Sequence, residues 1–137
     1  MEIKKLPKKE FPLALLEIPQ PPEDLWIIGE LPKPASAGGE NLIYLCVVGS
    51  RKFTSYGKES CEKIIAGLRG YPIVIVSGFA MGIDTIAHKK AMQTGLITVV
   101  FPGSGLSDEA IYPKTNVRLM KEVVENGGCL ISEFEPD

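Results

Sequence analysis

Residues 47–55 read VVGSRKFTS. An apolar run stops at Gly49, and Ser50, Arg51 and Lys52 follow before a helix-like pattern begins. A bare backbone, a hydroxyl, a guanidinium and an ammonium in succession suit an anion. Arg51 can pair bidentately with a phosphate, Ser50 can donate its hydroxyl, and Lys52 adds a mobile charge. The plainer alternative is that Gly49 serves a tight turn, Thr54 or Ser55 caps the helix and Arg51 is only solvated. A second loop, SGFAMGID at 77–84, places Gly78, Ala80 and Gly82 at alternate positions ahead of a helix, with Ser77 and Phe79 between strand and turn. Glycine there lets backbone N–H groups face an anion at the positive end of a helix. In AIYPKTNVRLM, at 110–120, Pro113 suits a first helical turn, with Lys114 and Asn116 beside it and Arg118 one turn on.

These loops need a scaffold that brings them to one edge. From Leu42 onward the runs LIYLCVVG, IVIVSG, ITVVFPG and CLISEF are short and almost continuously apolar, as strands buried on both faces are. Helical spacing separates them: Cys61, Ile64, Ile65 and Leu68; Ile83, Ile86, Ala87 and Ala91; Val117, Met120, Val123 and Val124. The alternation predicts an α/β fold, a Rossmann-like parallel sheet with helices on both faces. In such a sheet the loops leaving the C-terminal strand ends share one edge, and ligands bind there. Residues 1–41 hold most of the eleven prolines and end in PASAGGEN, which reads as an N-terminal arm and linker before a core at 42–137.

Composition narrows the ligand. A net charge of −2 gives no general attraction for polyanions, so a phosphate chain must be held by a local patch, and Arg51, Lys52, Lys114 and Arg118 would supply it. Such a cluster over glycine loops suits a phosphodiester chain better than a small acid. Phe53, Tyr56, Phe79 and Tyr112 lie near the edge and can either stack on bases or cover the core. A dinucleotide fingerprint is incomplete. Asp84 can face a ribose or favour the helix dipole. Asp84 and His88 share a helical spacing, but two ligands make no metal site, and no nucleophile elbow supports a Ser–His–Asp triad. The expectation is therefore no cofactor, no metal and no catalytic residue. Cys46, Cys61 and Cys129 read as reduced core thiols, and with no apolar stretch of membrane-spanning length the expected location is the cytoplasm.

VVGSRKFTSYG, IVIVSGFAMGIDTIAHKKAMQTG, ITVVFPGSGL, IYPKTNVRL and GGCLISEFEPD come in the order of the DNA-processing protein A family, also called Smf, which this chain resembles over nearly its whole length. The arm segment FPLALLEIPQPPEDLWIIGELP is similar to the stretch preceding that family's Rossmann-type domain. The resemblance implies a non-catalytic single-stranded DNA-binding protein that helps load the recombinase RecA in natural transformation. It implies a phosphate pocket of Gly49, Ser50 and Arg51 with Ser77, Gly78, Phe79 and Ala80, and Lys114 as a further basic contact. Family members continue beyond the strand matched by CLISEF, so dimerisation and recombinase contacts tied to that later part do not carry over, and the chain reads as a fragment or a short version. Were CLIS an edge strand, it would favour self-association into a homo-oligomer. The competing reading is a nucleotide-binding or phosphoribohydrolase-like protein with a related core. Its P-G-G-x-G-T-x-x-E signature finds only PGSGLSDE, with Ser104 in place of a glycine and Glu109 out of position.

Overall fold

The computed structural model describes residues 1–33, 41–111 and 113–137. The four apolar runs form β3 (Ile43–Cys46), β4 (Ile73–Ser77), β5 (Ile97–Val100) and β6 (Cys129–Ser132), parallel and adjacent in chain order. Their β-branched side chains fill both sides of a pleated sheet. Each crossover carries one helix: α2 (Ser55–Ala66), α3 (Ile83–Thr94) and α4 (Val117–Glu125). The hydroxyl of Thr54 accepts the amide of Gly57 at 3.0 Å and opens α2, and Gly95, with φ of 84°, closes α3 in the left-handed region.

The helices are unevenly distributed. Register places Ile75, Thr98, Val100 and Leu130 on one face. There Ile75 packs with Cys61 and Ile65 of α2 and Ala87 and Ala91 of α3, and Val100 and Leu130 pack with Leu119, Met120 and Val123 of α4. Strands that advance in one direction through right-handed crossovers put all their helices on the same side. The opposite face, with Val74, Val99 and Ile131, is covered by Leu6, Phe11 and the single-turn helix α1 (Leu13–Leu16). Helices thus occupy both faces, three full ones against one turn.

The sheet is mixed where the apolar runs predict a parallel one. The proline-rich stretch contributes β2 (Trp26–Gly29), antiparallel to β6, and β1 (Lys4–Lys5), antiparallel to β2, giving the order β1-β2-β6-β5-β4-β3. Strand β6 therefore has neighbours on both sides and offers no free edge. The outer strands are the two-residue β1 and β3, and Ile43, Tyr44 and Leu45 of β3 are exposed. Cys61 and Cys129 are buried free thiols, and burial pushes Cys129 up to about 12. Cys46 is exposed, against the expectation of a core thiol, because it sits on that outer strand. The linker residues 34–40 lie outside the described residues.

Ile27 on β2 is 4% exposed and packs with Cys129 and Ile131 across the β2–β6 ladder. Ile27→Ala is expected to lower stability by about 2–5 kcal/mol, as truncation of a buried aliphatic residue does, read as a shift in the urea midpoint.

Candidate phosphate-binding edge

Two loops meet at the C-terminal ends of β3 and β4, and their junction is built on close backbone approach. A Cβ on Gly49 would lie 2.8 Å from the Ile83 side chain, and one on Gly82, whose φ is +89°, would lie 2.6 Å from the carbonyl oxygen of Arg51. Only glycine fits either place. The Ile83 amide donates to the Ser50 carbonyl at 3.1 Å. Asp84 completes the joint: its carboxylate, 7% exposed, accepts the Gly49 amide on one oxygen and the Ala80 amide on the other, each at 3.4 Å. The sequence suggests a helix-dipole or ribose role for Asp84; in the fold it lies in the first turn of α3, as the dipole reading has it, and also ties the two loops.

The third element is the turn Lys114–Asn116 ahead of α4. Asn116 is buried, and its Nδ2 donates to the Phe79 carbonyl at 2.8 Å and to Thr85 Oγ1 at 3.2 Å. The turn is thereby fastened to the second loop, with exposed Lys114 at its start. Among the described residues the amides of Ser50, Arg51, Gly78 and Phe79 make no hydrogen bond, and neither does the buried Ser77 hydroxyl. Arg51, Lys52 and Lys114 are exposed and form no ion pair among the described residues, whereas Arg118 reaches Glu122 at 3.5 Å. Unpaired amides beside a helix N-terminus, flanked by free cations, can receive phosphate oxygens.

Three side chains differ from the sequence expectation. The Phe79 ring is fully buried and meets His88 edge-on at 5.7 Å, so it is not available to stack on a base, and any contact from Phe79 is through its backbone. Its φ of 70° turns the side chain inward. The Ser50 hydroxyl is committed locally, donating to the Lys52 carbonyl at 2.6 Å and accepting the Lys52 amide at 3.1 Å. It shapes the turn that presents Arg51. Asn116 faces inward as a fastener. Tyr112 lies outside the described residues; of the other aromatics, Phe53 and Tyr56 are exposed. Glu109 is remote from the joint and lines a small cavity with Met1, Ile3 and Met120.

Behind the edge, His88 is completely buried on α3. Thr98 donates its hydroxyl proton to the Ile75 carbonyl at 2.9 Å, so His88 must donate from Nδ1 to Thr98 Oγ1 at 2.7 Å. That arrangement assigns the Nδ1–H tautomer and leaves Nε2 without a partner. Burial lowers the imidazole to about 4. Asp84 and His88 therefore turn to different partners, and among the described residues no group of three or more His, Cys, Asp or Glu side chains comes together.

The fold is an α/β protein with exposed amides and cations at one sheet edge, and its kinship is specific. The chain belongs to the DNA recombination-mediator protein A family, whose model matches residues 3–137. It is 45% identical over 92 residues to the DNA processing protein DprA of Streptococcus pneumoniae, covering 67% of this chain and 31% of the relative. It is 35% identical over 127 residues to the protein Smf of Escherichia coli, covering 93% of this chain and 32% of the relative. The crystal structure of DNA processing protein A from S. pneumoniae superposes with a TM-score of 0.77 at 35% identity, over 98% of this chain and 45% of that one. The Helicobacter pylori DNA processing protein A, solved for its single-stranded DNA binding mode, gives 0.77 at 27% identity, over 99% and 57%. The chain thus spans about a third of the length of these curated relatives. No helix among the described residues is long and apolar enough to cross a membrane.

Two outcomes follow from this geometry. Asp84→Ala is expected to release the Gly49 and Ala80 amides, measured as faster hydrogen exchange at those two positions while amides of β4 and β5 stay protected. His88 is neutral in the fold down to about pH 4 but protonates near 6.5 when unfolded. Its contribution to stability is complete above about 6.5, declines as the pH falls towards 4, and is lost by on the order of 3 kcal/mol below that. Urea unfolding between pH 7.5 and 4 should show this slope, and His88→Gln should flatten it.

Proposed function

We propose that the chain binds single-stranded DNA along the edge formed by Gly49, Ser50, Arg51, Lys52, Ser77, Gly78, Phe79, Ala80, Gly82, Lys114 and Asn116. In this reading it acts by binding, without catalysis, in DNA processing and recombination during natural transformation, and helps load the recombinase RecA in the cytoplasm. The observation that carries the reading is the set of four unpaired amides beside exposed Arg51, Lys52 and Lys114. Gly49, Gly82 and Asn116 serve by fixing that set in place. Family membership supports the DNA-processing role, and the H. pylori protein named for single-stranded DNA binding supports the ligand. A single strand can bend into a line of glycine turns, whereas the stiff phosphate spacing of a duplex cannot.

The measurement is fluorescence anisotropy of matched single- and double-stranded oligonucleotides across a salt series. With three phosphates neutralised, the slope of log K against log salt for oligo-dT should be roughly −2, from about −0.7 each. Arg51→Ala should weaken binding by about 1.5–3 kcal/mol with an unchanged Tm, and Lys114→Ala by less, since a lone ammonium makes a less oriented contact than a fork. Tighter binding to duplex would overturn the reading. So would absence of oligo-dT binding alongside micromolar binding of AMP or NAD, which would favour a nucleotide-handling protein instead.

A further inference from the structure

A groove of about 470 Å³ opens from the same edge and runs between the outer surfaces of α2 and α3. Gly82 and Asn116, both part of the loop joint, stand at its head, and Phe53 and Met81 flank its mouth, 44% and 49% exposed. Farther along, Lys58 of α2 and Lys89 and Lys90 of α3 line it, with Glu62 as the one acid among the lining residues. None of the three lysines is in an ion pair among the described residues. Three lysines in a groove lined by a single acid leave a net positive charge whose mutual repulsion an anionic ligand relieves. Lys89 lies seven residues past Gly82, about 10 Å along the axis of α3. The cations of the groove are therefore displaced from the loop edge in one direction, as a linear polyanion requires and a single small anion does not.

We propose that this groove is a second stretch of the single-strand path: the phosphodiester chain leaves the loop edge past Gly82 and continues over Lys58, Lys89 and Lys90, with Phe53 and Met81 giving one base an apolar seat at the turn. The inference rests on the loop-edge reading above and adds to it the direction of the strand and three contacts that no glycine loop supplies. An exposed aromatic ring and a thioether beside a cationic track are the combination that tolerates any base, through stacking and polarisable contact without edge-on hydrogen bonds. The groove is an open trough, and Lys89 is exposed, so the phosphates remain solvated and the contacts are salt-sensitive.

The test compares oligo-dT of about 4 nucleotides, enough for the loop edge alone, with oligo-dT of about 12, using the full chain. In the double variant Lys89→Gln/Lys90→Gln the longer strand should bind about tenfold more weakly, with a salt slope shallower by about 1.4, while the short strand binds as before. The charge-preserving double variant Lys89→Arg/Lys90→Arg should restore both quantities. Arg51→Ala should weaken short and long strands alike. Unchanged affinity and slope for the long strand in the glutamine variant, with Arg51→Ala still impaired, would overturn the groove and leave the loop edge standing. Indifference of both strands to Arg51→Ala would remove the loop edge, and the groove path with it. Loss of short-strand binding in the glutamine variant would show that the lysines belong to the first site and would also overturn a separate second stretch.

Discussion

The Asp84 carboxylate sits between the amides of Gly49 and Ala80, and among the described residues no other side chain hydrogen-bonds across the two loops. It lies in the first turn of α3, where the helix end favours negative charge, and this offsets the desolvation of a buried anion. The joint has an electrostatic consequence for the ligand. Asp84 already engages two inward amides, so an incoming phosphate is left with the outer ones and must tolerate a fixed negative charge behind them. The exposed cations Arg51, Lys52 and Lys114 supply the compensating field, which makes the edge an electrostatic balance as well as a shape. In the proposed reading, selectivity for a chain over a lone phosphate would arise from that balance, because several cations are engaged only by several phosphates.

What was legible in the sequence was the part written in runs. IVIVS and ITVV are β-branched and apolar without a break, and the spacing of Ile83, Ile86, Ala87 and Ala91 is helical, so β4, β5 and α3 follow from side-chain chemistry alone. Strands β1 and β2 are two and four residues long and lie among prolines, where period carries little information. Their place in the sheet is set by a partner at the far end of the chain, which no local pattern records. The side assignment of the helices was implicit in the strand order, and strand order is not visible in hydropathy.

At the site, residue type indicated the chemistry but left direction open. Phe79 has the composition of a stacking residue in a glycine loop, and one backbone torsion turns it into the core. Asn116 next to Lys114 has the composition of a phosphate contact, yet its amide is spent on the Phe79 carbonyl. Lys89 and Lys90 sit in the middle of α3, where a charge ordinarily marks a solvated face. A signal was present in their doubling beside buried His88, since the residue after a buried position on α3 must point along its flank. His88 is buried beside Ala87 and Ala91, and its bond to Thr98, which ties α3 to β5 and through Ile75 to β4, depends on the fold.

The β2–β6 ladder sets Trp26 opposite Ser132, so one seam of the sheet joins the two ends of the chain. Pairing residues roughly a hundred positions apart carries a loop-closure cost that the ladder and the packing around it must offset. The N-terminal segment is thus held to the rest of the sheet through that seam and through the packing of Leu6, Phe11 and Ile27. Its release strips Leu6, Phe11 and Ile27 from Val74, Val99 and Ile131 and bares the backbone of β6, while the glycine joint at the opposite strand ends keeps all its bonds. Opening at that seam would therefore expose an unpaired strand, a template for aggregation, while leaving the glycine joint closed.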